Sequence, residues 1–207
     1  MLLRDRVRPP VKVLFVGINP GIRSAAIGHH FAGYSNRFWK LLFDARLVPE
    51  PMGPEDDWRL PDWGFGITNL IPRTTPGIDT LTPQEYVHGE RLLRRKVRRW
   101  KPEIVAFVGV TLYRAVVEKG TGIISDRRSR RKGGARPFVG ASRKMTPVPF
   151  FRCGLQRERF EGARVFVLPN PSGRNANFSY PQMLAAFRLL SRAIRRHSPL
   201  TPSGPGR

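Results

Sequence analysis

Val11-Lys12-Val13-Leu14-Phe15-Val16, followed at once by Gly17-Ile18-Asn19-Pro20-Gly21, is the stretch that decides the fold. A short run rich in β-branched and aromatic side chains reads as a buried strand, and the Gly, Asn-Pro-Gly punctuation closes it with a turn. The same pattern returns three times along the chain. Phe65 to Ile71 runs into Pro72-Arg73-Thr74-Thr75-Pro76-Gly77, Ile104 to Val108 into Gly109-Val110-Thr111, and Val165 to Leu168 into Pro169-Asn170-Pro171-Ser172-Gly173-Arg174-Asn175. Helical signals separate these strands. Ser35 or Asn36 can cap a helix carrying Phe38, Leu41, Leu42 and Ala45 on one face. Thr82-Pro83-Gln84-Glu85 is a capping box with proline in the first turn, opening a helix that should run to about Trp100. A shorter helix is expected from about Thr111 to Val117. Ser179-Tyr180-Pro181-Gln182 repeats the capping logic ahead of Met183, Phe187, Leu190 and Ile194. Pro49 to Pro61 reads as a Pro-rich acidic loop. Strands alternating with helices predict crossover connections and a mainly parallel, four-stranded α/β sheet covered on both faces.

The chain has 207 residues, enough for one domain with a real core, expected over residues 1–197 with a flexible tail at 198–207. Its 37 Lys and Arg face only 15 Asp and Glu, a formal net charge of +22. Such a body repels itself, so a polyanionic partner is the natural complement. The basic residues crowd one region, a basic insertion expected at about residues 120–162. From Gly122 to Phe160 there are eleven (Arg127, Arg128, Arg130, Arg131, Lys132, Arg136, Arg143, Lys144, Arg152, Arg157, Arg159) against Asp126 and Glu158. A merely solvating loop would have less reason to be so one-signed, and contact with phosphates is the favoured reading. A single cysteine, Cys153, excludes an internal disulfide framework and any cluster or zinc site built from several thiolates. No apolar run approaches the roughly 20 residues that span a bilayer. The charged start, Met1 to Arg6, is unlike a secretory signal. A cytoplasmic protein with no membrane partner is expected.

In open parallel sheets, ligands bind beyond the carboxyl ends of the strands. Four segments should therefore converge, those beginning at Gly17, Thr68, Gly109 and Pro169. No Asp or Glu occurs from Lys12 to Phe43, from Gly64 to Ile78, or from Pro169 to Leu200. A pocket without carboxylates suits an approaching phosphodiester, and it removes both the paired-carboxylate mechanism and a carboxylate-rich metal site. What remains can position a water and stabilise an anion but cannot easily abstract a proton. That set fits a reaction with a good anionic leaving group and a strongly cationic electrophile, such as hydrolysis of an N-glycosidic bond to a pyrimidine.

Six motifs in one order carry a resemblance: Gly17-Ile18-Asn19-Pro20-Gly21, Gly28-His29-His30-Phe31, Asn36-Arg37-Phe38-Trp39-Lys40, Thr68-Asn69, Arg73-Thr74-Thr75-Pro76-Gly77 and Asn170-Pro171-Ser172-Gly173. Over about residues 11–117 and 153–195 the chain resembles the mismatch-specific uracil/thymine DNA glycosylases. The resemblance implies a three-layer α/β/α fold and excision of uracil, with thymine as a second candidate, from G·U and G·T mismatches in double-stranded DNA. It implies base flipping, no cofactor and no metal, and a monomer associated with the nucleoid through DNA. Asn19 matches the asparagine that holds the attacking water. Ile18 is expected to offer backbone groups to the base edge, and Phe31 to stack on the flipped pyrimidine. His29 lies in the same loop, where it could tune the pH response. Asn69 and Thr75 match polar positions beside base and sugar, and Ser24 falls where the pocket meets a thymine methyl. Ser172 and Gly173 should grip the flanking phosphates, and Arg174 matches the wedge that fills the emptied stack.

Two features mark the thymine-type branch: asparagine rather than lysine at Asn69, and arginine rather than leucine at Arg174. Ser24 points the other way, since some thymine-active members carry alanine. A non-catalytic nucleic-acid-binding protein on the same fold is the alternative, but it would need neither Asn19 nor Phe31. A nucleotide-cofactor fold is disfavoured because no Gly-x-Gly-x-x-Gly follows the first strand.

Overall fold

The computed structural model describes residues 3–117 and 153–195. Its first strand, β1 (Val13–Gly17), is buried along its whole length, as its continuous apolar run requires. There follow α1 (Ile22–Ile27), α2 (Phe38–Asp44), a 3-10 run over Pro54–Trp63, β2 (Phe65–Asn69), α3 (Pro83–Trp100), β3 (Ile104–Val108), α4 (Val110–Val116), β4 (Gly154–Phe160), β5 (Ala163–Leu168) and α5 (Tyr180–Arg195). The sheet order is β2-β1-β3-β5-β4, with every pairing parallel except β4 on β5.

Side-chain alternation assigns the layers. Phe15 meets Phe38 of α2 edge-on at 5.3 Å, and Phe38 reaches Phe187 of α5 at 6.2 Å. Phe107 stands in register with Val16, the next residue along β1, so it points to the other face, where it meets Tyr113 of α4. Helices therefore cover both faces, as the α/β/α expectation requires. The Thr82 capping box forms as read, and at Ser179 the Gln182 half of one forms. Thr82 Oγ1 accepts from the Glu85 N–H while Glu85 Oε2 accepts from the Thr82 N–H, and Gln182 Oε1 accepts from the Ser179 N–H.

The sheet has five strands rather than the expected four. β4 lies inside the region expected as the basic insertion at about residues 120–162. Its sequence, GLQRERF, buries only Gly154 and Phe160, and an exposed edge strand of this kind carries no alternating apolar pattern to announce it. The rest of that insertion and the tail at 198–207 lie outside the described residues. At the other edge, Arg6 exchanges two backbone hydrogen bonds with Ile67, covering β2.

Parallel pairing continues past the strand ends and ties the functional loops together. Leu70 N–H donates to Gly17 O and Ile71 N–H to Ile18 O, both at 2.8 Å, and Thr75 N–H donates to Pro20 O at 3.3 Å. Gly109, at φ 129°, donates to Leu168 O at 2.9 Å. The four carboxyl-end segments thus meet at one edge of the sheet.

Candidate active site

A cavity of about 540 Å³ opens at that edge, within the range usual for small-molecule and base-sized ligands. Its wall includes Ile18, Asn19, Ser24, Phe31, Asn69, Asn170, Ser172 and Arg174. No Asp or Glu lines it among the described residues, and Arg23 and Arg174 supply positive charge. Three of the four segments expected to converge contribute to it; Gly109-Val110-Thr111 borders a neighbouring cavity instead, and the 22–36 stretch supplies much of the wall.

Asn19 is held by its nitrogen. Its Nδ2 donates to Thr75 Oγ1 at 2.8 Å and to Pro20 O at 3.1 Å, and Thr75 Oγ1 in turn donates to Gly77 O at 2.6 Å. Both amide protons are thereby committed, which fixes which end of the amide is oxygen. Oδ1 has no described donor and remains an acceptor on the cavity wall. Thr75, only 2% exposed, does not line the cavity; it acts on it through Asn19.

Gly17 makes the floor. A Cβ there would sit 2.6 Å from Asn69 Oδ1 and 3.5 Å from Phe31 Cζ, so only a bare backbone lets the amide and the ring close over the strand end. Phe31 stacks one face on Phe38, with centroids 4.1 Å apart and planes 22° apart, and borders the cavity. Its φ of 53° is left-handed, an unusual state for a bulky residue and one that its neighbours must impose.

The backbone just before Phe31 is held by Asp57, a fully buried carboxylate that the sequence reading left in an acidic loop. Asp57 accepts from the His30 N–H at 3.0 Å, lies 3.1 Å from His29 Nδ1, and takes a charged hydrogen bond from Arg6 Nε at 2.9 Å. Arg6 also donates to Gly28 O at 3.3 Å. The signal that could have found it is a carboxylate near an otherwise acid-free set of motifs, but nothing in the spacing links residue 57 to residues 28–31.

His29 was expected in the base pocket; it does not line the cavity, because its ring is turned to Asp57. His30 lines it instead. Burial lowers the His30 pKa below its ordinary value, and its Nε2 lies 2.9 Å from Arg4 O. Ser24 Oγ accepts from the Ala32 N–H at 3.0 Å, closing the 24–32 segment on itself while still bordering the cavity.

The last wall is the Asn170–Asn175 turn. Asn170 Oδ1 accepts from the Ser172 N–H at 3.0 Å and Ser172 Oγ from the Arg174 N–H at 3.3 Å. Pro171 O accepts from the Arg37 N–H at 2.9 Å, joining this turn to the 33–37 turn. Gly173 is pressed against it. A Cβ there would fall 2.8 Å from Ser35 O and closer still to the Ser35 side chain, so the backbone approach itself demands glycine. Arg174 is exposed at the mouth, with no described carboxylate beside it.

The assembled groups can fix a water on Asn19 Oδ1, stack a planar ring on Phe31, hydrogen-bond its edge through Asn69, and meet phosphate at the 172–174 turn. They offer no carboxylate base. Two comparisons bear on this arrangement. The pattern of the uracil DNA glycosylase superfamily matches residues 5–191. A protein of Schizosaccharomyces pombe named G/U mismatch-specific uracil DNA glycosylase is 33% identical over 186 residues, covering 89% of this chain and 51% of that protein. The chain thus spans about half the length of the curated relative it matches.

Proposed function

The chain belongs to the uracil DNA glycosylase superfamily, and from that membership we propose that it is a monofunctional DNA glycosylase of base excision repair. It flips uracil, with thymine as a second substrate, out of G·U and G·T mismatches in double-stranded DNA and hydrolyses the N-glycosidic bond, leaving an abasic site. It works as a monomer, in the cytoplasm where the nucleoid lies. The similarity to the G/U mismatch-specific relative supports the choice of lesion.

One observation carries the chemistry: Asn19 presents a bare amide oxygen on the wall of a carboxylate-free cavity, with its nitrogen tied to Thr75 and Pro20. A water held there is positioned on the sugar rather than deprotonated by a base. The flanking phosphates approach unopposed and help stabilise the sugar cation, while Asn69 and backbone groups near Ile18 receive the departing base. Phe31 holds the ring, the Ser172–Gly173 turn the phosphates, and Arg174 the vacated stack. No lysine stands among the described lining residues to form a Schiff base, which fits hydrolysis without strand cleavage.

The test is single-turnover excision from a G·U duplex. Asn19→Ala should bind as tightly as the parent and excise roughly 10² to 10⁴ times more slowly. Asn19→Asp should retain more activity than alanine and gain it as pH rises, because a carboxylate can partly deprotonate the same water. Excision by Asn19→Ala at the parental rate would reduce Asn19 to a turn residue.

A further inference from the structure

Helix α3 carries its charge unevenly. Arg94 is neutralised twice, by Glu90 Oε1 at 3.0 Å and Glu161 Oε1 at 2.7 Å, and Arg98 Nε lies 3.2 Å from Glu161 Oε2. Beside them Arg91, Arg95 and Arg99 stand exposed, and no carboxylate among the described residues pairs with them. Residues four apart face each other on a helix, so Arg91 repels Arg95 and Arg95 repels Arg99. Packing falls to Tyr86, Leu93 and Val97 on the buried side. The three arginines thus weaken the helix that carries them, and none has a part in the excision chemistry above.

Their direction is informative. The first turn of α3 is tied to the Thr75 loop, where Glu85 holds Arg73. Its far end leads to Glu103, whose N–H donates to Val11 O at 3.0 Å just before β3 begins. The helix therefore descends from the cavity edge of the sheet to the opposite edge. Counted from Glu85, the three arginines lie about 9, 15 and 21 Å along its axis. A duplex delivering a base to the cavity lies across the upper edge, and only a bend over that edge would lay it along α3 as well, at a cost in deformation energy. A separate duplex meets no such cost. The stripe runs about 12 Å, and a duplex strand passes a phosphate about every 3.4 Å of its axis. Every exposed residue from 91 to 99 is an arginine, so the face offers a protein partner no apolar anchor, whereas phosphates need only the charge.

We propose that Arg91, Arg95 and Arg99 form a docking face for the phosphates of a second duplex segment, distinct from the one whose base enters the cavity, so that one protein molecule holds two stretches of DNA at once. The inference rests on the DNA-binding half of the glycosylase reading and adds a partner surface to it. A second duplex seated on α3 is already in place when the first departs, so it speeds the exchange of one for the other.

The test follows departure of a fluorescent G·U duplex from the full chain while unlabelled matched duplex is added in rising concentration. For the parent, the departure rate should rise in proportion to the competitor. The triple variant Arg91→Gln, Arg95→Gln, Arg99→Gln should depart at a rate that ignores the competitor. Its rate without competitor and its single-turnover excision from G·U should stay within about twofold of the parent, as expected for sites far apart. The corresponding triple lysine variant should keep the competitor effect, because phosphates need the charge and not the fork. A parental rate indifferent to competitor would overturn the second face, and so would a glutamine variant that still responds. Weaker G·U binding by the glutamine variant without competitor would place the stripe on the lesion duplex and also overturn it. Acceleration by poly-L-glutamate equal to that by duplex would make it a face for acidic protein instead. A parent that responds to competitor but excises nothing from G·U would remove the glycosylase reading and leave the second face standing.

Discussion

Asn19 is aimed by a residue that never touches the cavity. Thr75→Val removes the hydroxyl that receives Asn19 Nδ2 while keeping the volume of a buried side chain. A freed amide can rotate its nitrogen toward the water, and misplacement of this kind costs on the order of 10²-fold in rate. Single-turnover excision should therefore fall by about that factor, with Thr75→Ser restoring it and duplex affinity unchanged. Gly17 gives a second case. Gly17→Ala sets a methyl against Asn69 Oδ1, which must swing away, so excision should drop while the denaturation midpoint shifts little, because the clash is with a side-chain end. Asp57→Asn loses the charge that Arg6 and His29 share and should lower stability by roughly 2 kcal/mol in urea titrations, since one partner of a buried charged hydrogen bond is removed. Asn19 and Asn69 were legible because each sits in a motif at the carboxyl end of a strand, and Phe31 because its Gly28-His29-His30-Phe31 motif carries the resemblance. Asp57 and His30 were not, because their roles come from a contact between segments far apart in sequence. His29 misled for the same reason: adjacent histidines look equivalent until the backbone turns one of them away.

At the scale of elements, α3 anchors the Thr75 loop to the body of the protein. Glu85 closes the capping box and also holds Arg73, which donates from Nε at 2.6 Å and from Nη2 at 3.0 Å. The Arg73 guanidinium first, and the Thr82 backbone second, hold the Glu85 carboxyl well below its usual range, at about 2. A carboxyl with a depressed folded-state pKa adds stability that is present above its ordinary value near 4.5 and is lost as pH falls toward 2. Glu85→Gln should thus flatten the acid limb of the stability curve between those pH values, as followed by thermal melts across that range. Thr82→Ala should cost about 1 kcal/mol, the usual worth of such a cap, and loosen the Arg73 loop with it. Both caps were readable because a capping box is a local code with fixed spacing. β4 was not, since a half-exposed edge strand bearing Arg157, Glu158 and Arg159 has the composition of a solvated loop.

For the molecule as a whole, a net charge of +22 makes DNA binding a counterion-release process. Each phosphate contact removed should shallow the slope of log affinity against log salt by about 0.9. Deleting Arg127 to Arg143, which carries seven of the basic residues, should reduce that slope by several units in fluorescence-anisotropy titrations and leave excision from saturated complexes nearly unchanged. An unaltered slope would mean that those arginines touch no phosphate. The cavity itself answers to another variable. Among its described lining residues the one imidazole is His30, whose pKa burial lowers, and whose Nε2 is set on the Arg4 carbonyl, which can only accept; no described lining carboxyl offers a proton. A base leaving such a site departs as an anion and collects its hydrogen from bulk solvent afterwards. Excision in deuterium oxide should accordingly run at nearly the same rate as in ordinary water, and a linear proton inventory with a large isotope effect would mean that some group delivers hydrogen during bond breaking.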